Sequence, residues 1–314
     1  MKLFLLLFTL LSLSQNASAG SFFDDYKAEK ITDTVYVIHG PREIPNEINR
    51  GFMNNPAFII AEKSVVIVDP GSSFETGQLV LREIKKITDK PVSHIFNTHI
   101  HGDHWLGNEI IQQRYPDVQI IADPRMIKKA KAGAAQSWYD NLLGLTKGAI
   151  KGTKIAYPDT EVSDGAVLKI AGLTFNIHTV GIAHSDSDIM IEYVEGSTLF
   201  TGDNAAYLSI LRMDDGSFRD NIKAMDKAIS LNLEHYVPGH GPTGDVQIAH
   251  LQREFFDILY KQVAIHYEEG MEDFEMKPKV EAALYKFKDW SGFEEEIGKQ
   301  ISIAKLEVEK AEFE

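Results

Sequence analysis

Three of the eleven histidines fall in one short segment, Thr98-His99-Ile100-His101-Gly102-Asp103-His104, with an aspartate among them. The segment directly follows a β-rich run. In an extended chain His99 and His101 point to the same side, and Gly102 allows the backbone to turn sharply. Asp103 and His104 then open a helix that faces the same space. Imidazole nitrogens and a carboxylate therefore meet at the carboxyl end of a strand, where α/β sheets place their sites. A lone histidine is usually a core or surface residue, whereas a cluster of this density reads as a metal site. Three nitrogen donors and one oxygen donor suit zinc or another borderline first-row ion and do not suit calcium or magnesium.

Further donors occur where other β-rich runs end. His184 lies in Gly181-Ile182-Ala183-His184-Ser185-Asp186, Asp203 in Phe200-Thr201-Gly202-Asp203, and His240 in Val237-Pro238-Gly239-His240-Gly241. Each has glycine nearby, which permits tight turns and close backbone approach. His39, His94, His178, His235, His250 and His266 have no such context and read as structural. Cysteine is absent. That excludes disulfides, thiolate metal ligands and a cysteine nucleophile, so any metal must be held by His, Asp or Glu.

These donors need a sheet to hold them. Runs at 35–38, 57–60 and 65–68 read as buried strands; a helix is expected over 75–88, then a strand at 94–98 and a helix over 103–114. A strand at 118–122 and a helix over 124–145, opened by Pro124, follow. Strands resume at 167–170, 173–178, 189–193 and 198–201. Strands flanked by helices in two similar halves give a layered α/β sandwich. From 246 to 314 the spacing is helical, and Phe293, Ile297, Ile301, Ala304 and Val308 form one apolar stripe that packs on the sandwich or, as the sharper alternative, forms a dimer face. The expected division is a leader at 1–19, a sandwich domain at 20–245 and a helical extension at 246–314.

Composition bounds the partners. With 44% hydrophobic and 25% charged residues the chain can build a sizeable core. A net charge of −14, with no basic stripe, argues against nucleic-acid binding and leaves a small-molecule substrate. Lys2, the apolar run 3–13 and Ala17-Ser18-Ala19 read as a signal peptide cleaved after Ala19. The expected location is secreted or periplasmic, with no stable membrane anchor after cleavage.

Asp69 after a strand, the His99–His104 cluster, His184, Asp203 and His240 come in an order that resembles the metallo-β-lactamase-fold hydrolase superfamily, over roughly residues 30–245. The resemblance implies a four-layer αβ/βα sandwich with two Zn2+ in the cleft between its sheets. It implies a first zinc on His99, His101 and His184, a second on Asp103, His104 and His240, and Asp203 bridging them. Asp69 would steady the cluster. The implied reaction is attack of a zinc-bridged hydroxide on the carbonyl of an ester, thioester, lactone or β-lactam, with Asp103 as the catalytic residue that orients the hydroxide and passes a proton. Asp203, in a chain without cysteine, looks more like the glyoxalase II and lactonase branches than the best-known lactamases. The alternatives are a β-lactamase proper, and an oxidoreductase similar to persulfide dioxygenases, with one Fe2+ on His99, His184 and Asp203. Tyr207, Arg212 and Trp105 are candidate substrate contacts, with a core aromatic for Trp105 and a solvated charge for Arg212 as the plainer readings, and residues 41–53 are a candidate flap over the cleft.

Overall fold

Period-two burial sets the first sheet. In strand β4 (Val65–Val68) every residue is buried, Val66 and Val68 against the opposing sheet and Val65 and Ile67 against helices. A strand covered on both faces reads as a continuous apolar run. The computed structural model describes residues 22–313, so the signal-peptide expectation for 1–19 lies outside the described residues.

Strands β1 (Glu29–Lys30), β2 (Val35–Val37), β3 (Ala57–Ile60) and β4 pair antiparallel, and β5 (Val92–Phe96), β6 (Gln119–Ala122) and β7 (Thr160–Glu161) extend the sheet in parallel. The second sheet has the order β12-β11-β10-β9-β8, with β8 Val167–Ile170, β9 Leu173–His178, β10 Met190–Tyr193, β11 Thr198–Ala206 and β12 His235–His240. Its one parallel pair is β11 with β12.

The buried clusters define the layers. Val66, Val68 and Phe96 of the first sheet meet Phe175, Ile191 and Phe200 of the second, which is the sheet-to-sheet core. The outer face of the first sheet packs on helices α1 (Phe74–Ile87) and α3 (Asn108–Arg114), through Leu79, Ile84 and Ile111. The outer face of the second packs on α6 (Phe218–Leu231) and α7 (Gln247–Glu268), through Met225 and Ile248. Helix, sheet, sheet, helix is the expected four-layer sandwich.

Two expected helices are interrupted. The helix over 103–114 is a single turn, α2 (Gly102–Trp105), followed separately by α3. The helix over 124–145 begins with Pro124 in its first turn, with Asp123 as cap, but divides into α4 (Pro124–Lys129) and α5 (Ala135–Leu145). Gly133 separates them at φ 118°, a conformation that glycine adopts without strain. The break lets α5 pack against α2, next to the histidine cluster.

The tail contributes α7, α8 (Asp273–Ala283) and α9 (Phe293–Ala311). All five residues of the apolar stripe are buried, with Phe255, Phe256 and Trp290 and with Ile210 and Leu211 of the loop after β11. The stripe is therefore core and is not available as a dimer face. Among the described residues no helix is long and apolar enough to cross a membrane. Ile301→Ala should lower unfolding stability by about 2–5 kcal/mol, the cost of a cavity in a packed core. Leu306→Ala, on the exposed face of the same helix, should stay within about 0.5 kcal/mol; equal effects in denaturant melts would show that the stripe is not core.

Candidate metal centre

The donors come from strand ends, the loops after them, one helical turn and the irregular strand β11. Asp69 follows β4, His99 follows β5, Asp203 lies in β11 and His240 closes β12. His101 caps α2, whose first turn carries Asp103 and His104, and His184 comes from the loop between β9 and β10. The β11–β12 register shifts between Phe200 and Gly202 and again before Ala206, an irregularity that re-aims a strand side chain, here Asp203. Space beside it is limited: a Cβ on Gly239 would stand 1.9 Å from Asp203 Oδ1, so only glycine fits.

The seven donors form two groups, His99, His101, His184 and Asp203, and Asp103, His104 and His240. The Asp203 carboxylate stands between them. Its Oδ2 is 3.5 Å from His184 Nε2, 3.8 Å from His99 Nε2 and 3.2 Å from His240 Nε2, while Oδ1 is 3.1 Å from His104 Nε2. Asp103 Oδ2 lies 3.5 Å from both His104 Nε2 and His240 Nε2. Two donors bound at about 2.0–2.1 Å to a tetrahedral ion lie roughly 3.3 Å apart, so these separations are those of ligands sharing an ion.

Outer hydrogen bonds hold four of the five rings from behind, while His184 Nδ1 is buried without a partner. His104 Nδ1 donates to Asp69 Oδ2 at 2.8 Å, and His240 Nδ1 to the Met53 carbonyl at 2.8 Å. Thr98 Oγ1 donates to Asp69 Oδ2 at 2.6 Å and can accept from His99 Nδ1 at 3.0 Å. His101 is reversed: its Nε2 faces Asp215 Oδ2 at 3.1 Å, and its Nδ1 faces His184 Nε2 at 2.9 Å. Each such bond selects the tautomer whose other nitrogen carries a lone pair toward the cluster. His99 Nε2, His104 Nε2 and Asp203 Oδ1 are buried without a hydrogen-bond partner. Orphaned buried donors of this kind are costly unless something else satisfies them, and a metal ion fits.

Electrostatics divides the two groups. Burial, reinforced by His104 and His101, holds His99 well below the ordinary histidine pKa, and burial lowers His184 to about 3. Burial also works against a charged His104, but the carboxylates of Asp203, Asp103 and Asp69 outweigh it and raise its pKa well above the ordinary value. His240 is raised against burial by Asp203 and Asp103. Burial opposes the charge on Asp203, yet His240 and His104 hold its carboxyl well below the usual range.

The model of the metallo-beta-lactamase superfamily matches residues 49–240. The chain belongs to the metallo-beta-lactamase superfamily. A probable metallo-hydrolase of Methanocaldococcus jannaschii is 28% identical over 201 residues, which is 62% of this chain and 91% of that protein. A hydroxyacylglutathione hydrolase of Prochlorococcus marinus is 26% identical over 172 residues, 54% of this chain and 57% of that one. A metallo-beta-lactamase from Pontibacter korlensis superposes with a TM-score of 0.59 at 18% identity, over 74% of this chain and 99% of that one, which shows a shared fold. As a superfamily hydrolase, this chain carries a metal-binding His/Asp cluster at the place where its parallel strands end.

The expected substrate contacts fare differently from the donors. Trp105 is fully buried and its Nε1 donates to Ile100 O at 2.9 Å, so it belongs to the core beneath the cluster and not to the cleft rim. Arg212 pairs with Asp214 at 3.3 Å and lies 3.9 Å from Glu296 of α9, which directs it to the tail. Tyr207 meets the site through its backbone, donating to His240 O at 3.0 Å, while its ring packs on the α6–α7 core. The ring beside the site is Trp138 of α5, centred 4.5 Å from His101 and part-exposed. Its sequence neighbourhood carries no motif, and Gly133 brings it there. Residues 41–53 touch the site at Met53, and Arg42 Nη1 donates to Leu208 O at 3.0 Å.

Metal uptake should separate the two groups by pH. His104 and His240 must lose a proton before they can ligate, so affinity at Asp103, His104 and His240 should rise with pH, with proton release on loading. Burial disfavours the charged form of His99 and His184, so binding through them should persist further into acid. With metal on both groups, a pH series of metal content should show stepwise loss; loss in a single step, or no proton release in weakly buffered solution, would count against the split.

Proposed function

We propose that the protein is a zinc-dependent hydrolase that uses two ions to cleave a carbonyl substrate, an ester, thioester, lactone or β-lactam. The observation that carries this reading is the Asp203 carboxylate between two otherwise complete ligand groups, each with lone pairs turned inward. His99, His101 and His184 would hold one ion, Asp103, His104 and His240 the other, and Asp203 both. When bound, such a pair supplies Lewis acidity and lowers the pKa of a water molecule from 15.7 toward about 7.

The chain's own groups supply the rest. Asp103, with Oδ2 aimed at the same point as His104 and His240, is the carboxylate that orients the attacking water and takes up and returns its proton. Asp69 fixes His104 directly and His99 through Thr98, so it acts on geometry and not on substrate. The hydroxyacylglutathione hydrolase among the relatives supports attack at an acyl carbon. The intact second group supports two zinc ions over one iron, since a mononuclear iron site would leave Asp103, His104 and His240 without a role.

The test is a hydrolysis panel of thioesters, lactones, β-lactams and phosphodiesters on zinc-loaded protein, with metal content measured on the same preparation. Hydrolysis of a carbonyl substrate, lost on chelation and restored by zinc, is expected. Asp103→Asn should lower kcat by about 10²–10⁴ with the fold retained by circular dichroism. Undiminished turnover in metal-stripped protein would sink the proposal.

A further inference from the structure

Besides Asp69, a second carboxylate touches the cluster from outside the ligand set. Asp215 lies in the loop between β11 and α6, about half exposed, with Oδ2 3.1 Å from His101 Nε2. Of the five histidines, His101 alone is held by an acceptor from this loop, and it alone turns Nδ1 inward.

Apart from one long backbone bond of its own, Gly216 N to Met213 O at 3.4 Å, the loop is held from outside. Ile210 N donates to Ser291 O at 2.9 Å, and Ser291 N to Leu208 O at 3.0 Å. Gln300 of α9, fully buried, donates from Nε2 to Leu211 O at 2.7 Å. At the far end Glu307 of α9 accepts from Ser217 Oγ at 2.7 Å, Phe218 N at 2.8 Å and Arg219 N at 3.2 Å, fixing the first turn of α6. Ser217 N in turn donates to Ala183 O at 2.9 Å, the residue before His184. The C-terminal helix therefore grips both ends of the segment that carries Asp215, and that segment braces the His184 loop as well.

We propose that Asp215 is a positioning residue for His101, and that helix α9 keeps it in place through Gln300 and Glu307, making the C-terminal extension part of the first metal group. The inference rests on the metal-site reading above. It needs no substrate, so it can be tested even if the hydrolysis panel is negative. The physical basis is general: a ligating imidazole that donates its other N–H to a carboxylate is fixed in tautomer and ring orientation and is a stronger ligand.

The experiment is stepwise zinc competition against a chromophoric chelator, on the full mature chain and its variants. Asp215→Ala should weaken one of the two sites by about 10–100-fold and leave the other unchanged. Asp215→Asn, which keeps a neutral acceptor, should recover part of that loss. Glu307→Ala should weaken the same site, and in the Asp215→Ala background it should add clearly less than it costs alone, because part of its effect acts through the Asp215 contact and only the rest through the His184 loop. Thermal melts of the metal-free variants separate this from general unfolding. Wild-type affinity at both sites in Asp215→Ala would overturn the assignment. Losses that add fully in the double variant would overturn the role of α9, and a wild-type chain that takes up no zinc would overturn the metal-site reading together with this inference.

Discussion

Three carboxylates, Asp69, Asp103 and Asp203, lie with five imidazoles in a space from which water is nearly excluded. Burying an unpaired charge costs several kcal/mol after relaxation, so this arrangement persists only if each charge is answered locally. Asp69 is answered by the Thr98 amide and hydroxyl and by His104, and Asp203 by His104 and His240. The same constraint explains why most donors lie at or just after strand ends, where side chains can converge while the backbone polar groups remain in the sheet ladders, and why Asp203, inside β11, sits at a register irregularity.

Positioning is shared among distant parts of the chain. Asp69 has φ 51°, an uncommon conformation for a residue other than glycine, and its carbonyl accepts from Asn54 Nδ2 at 3.1 Å. Strain of this kind is retained when the surroundings over-determine it, and Asp69 accepts three further bonds through its carboxylate. Met53 reaches His240 from the segment before β3, while the tail reaches His101 by way of Asp215. The two sheets thus present the donors, and loops from both ends of the chain set the orientation of their rings.

The inner strands of the first sheet were legible because they are short apolar runs bounded by Pro, Gly and Asp, whereas its edge strands β1 and β7 are two-residue polar segments that carry no such signal. The helices were less legible. Periodicity carried the expected helix straight through Gly133, whereas the backbone turns there and brings Trp138 to His101. Exposure was the weakest inference: Trp105 follows the cluster directly and Arg212 follows Asp203 in sequence, but one packs inward and the other pairs toward α9. Asp215 escaped notice because an aspartate in a polar turn has no motif, and its importance depends on His101, 114 residues away.

The sequence by itself determined the chemistry. A dense His/Asp segment at a strand end, three further donors beside glycines and the absence of cysteine define a nitrogen–oxygen metal site, because donor type follows from residue identity. The tertiary structure decided which nitrogen of each histidine faces inward, which aromatic ring stands at the site, and that the helical tail is core. Those outcomes depend on contacts between segments far apart in the chain, and pattern along a sequence carries no information about which of several buried acceptors a ring will meet.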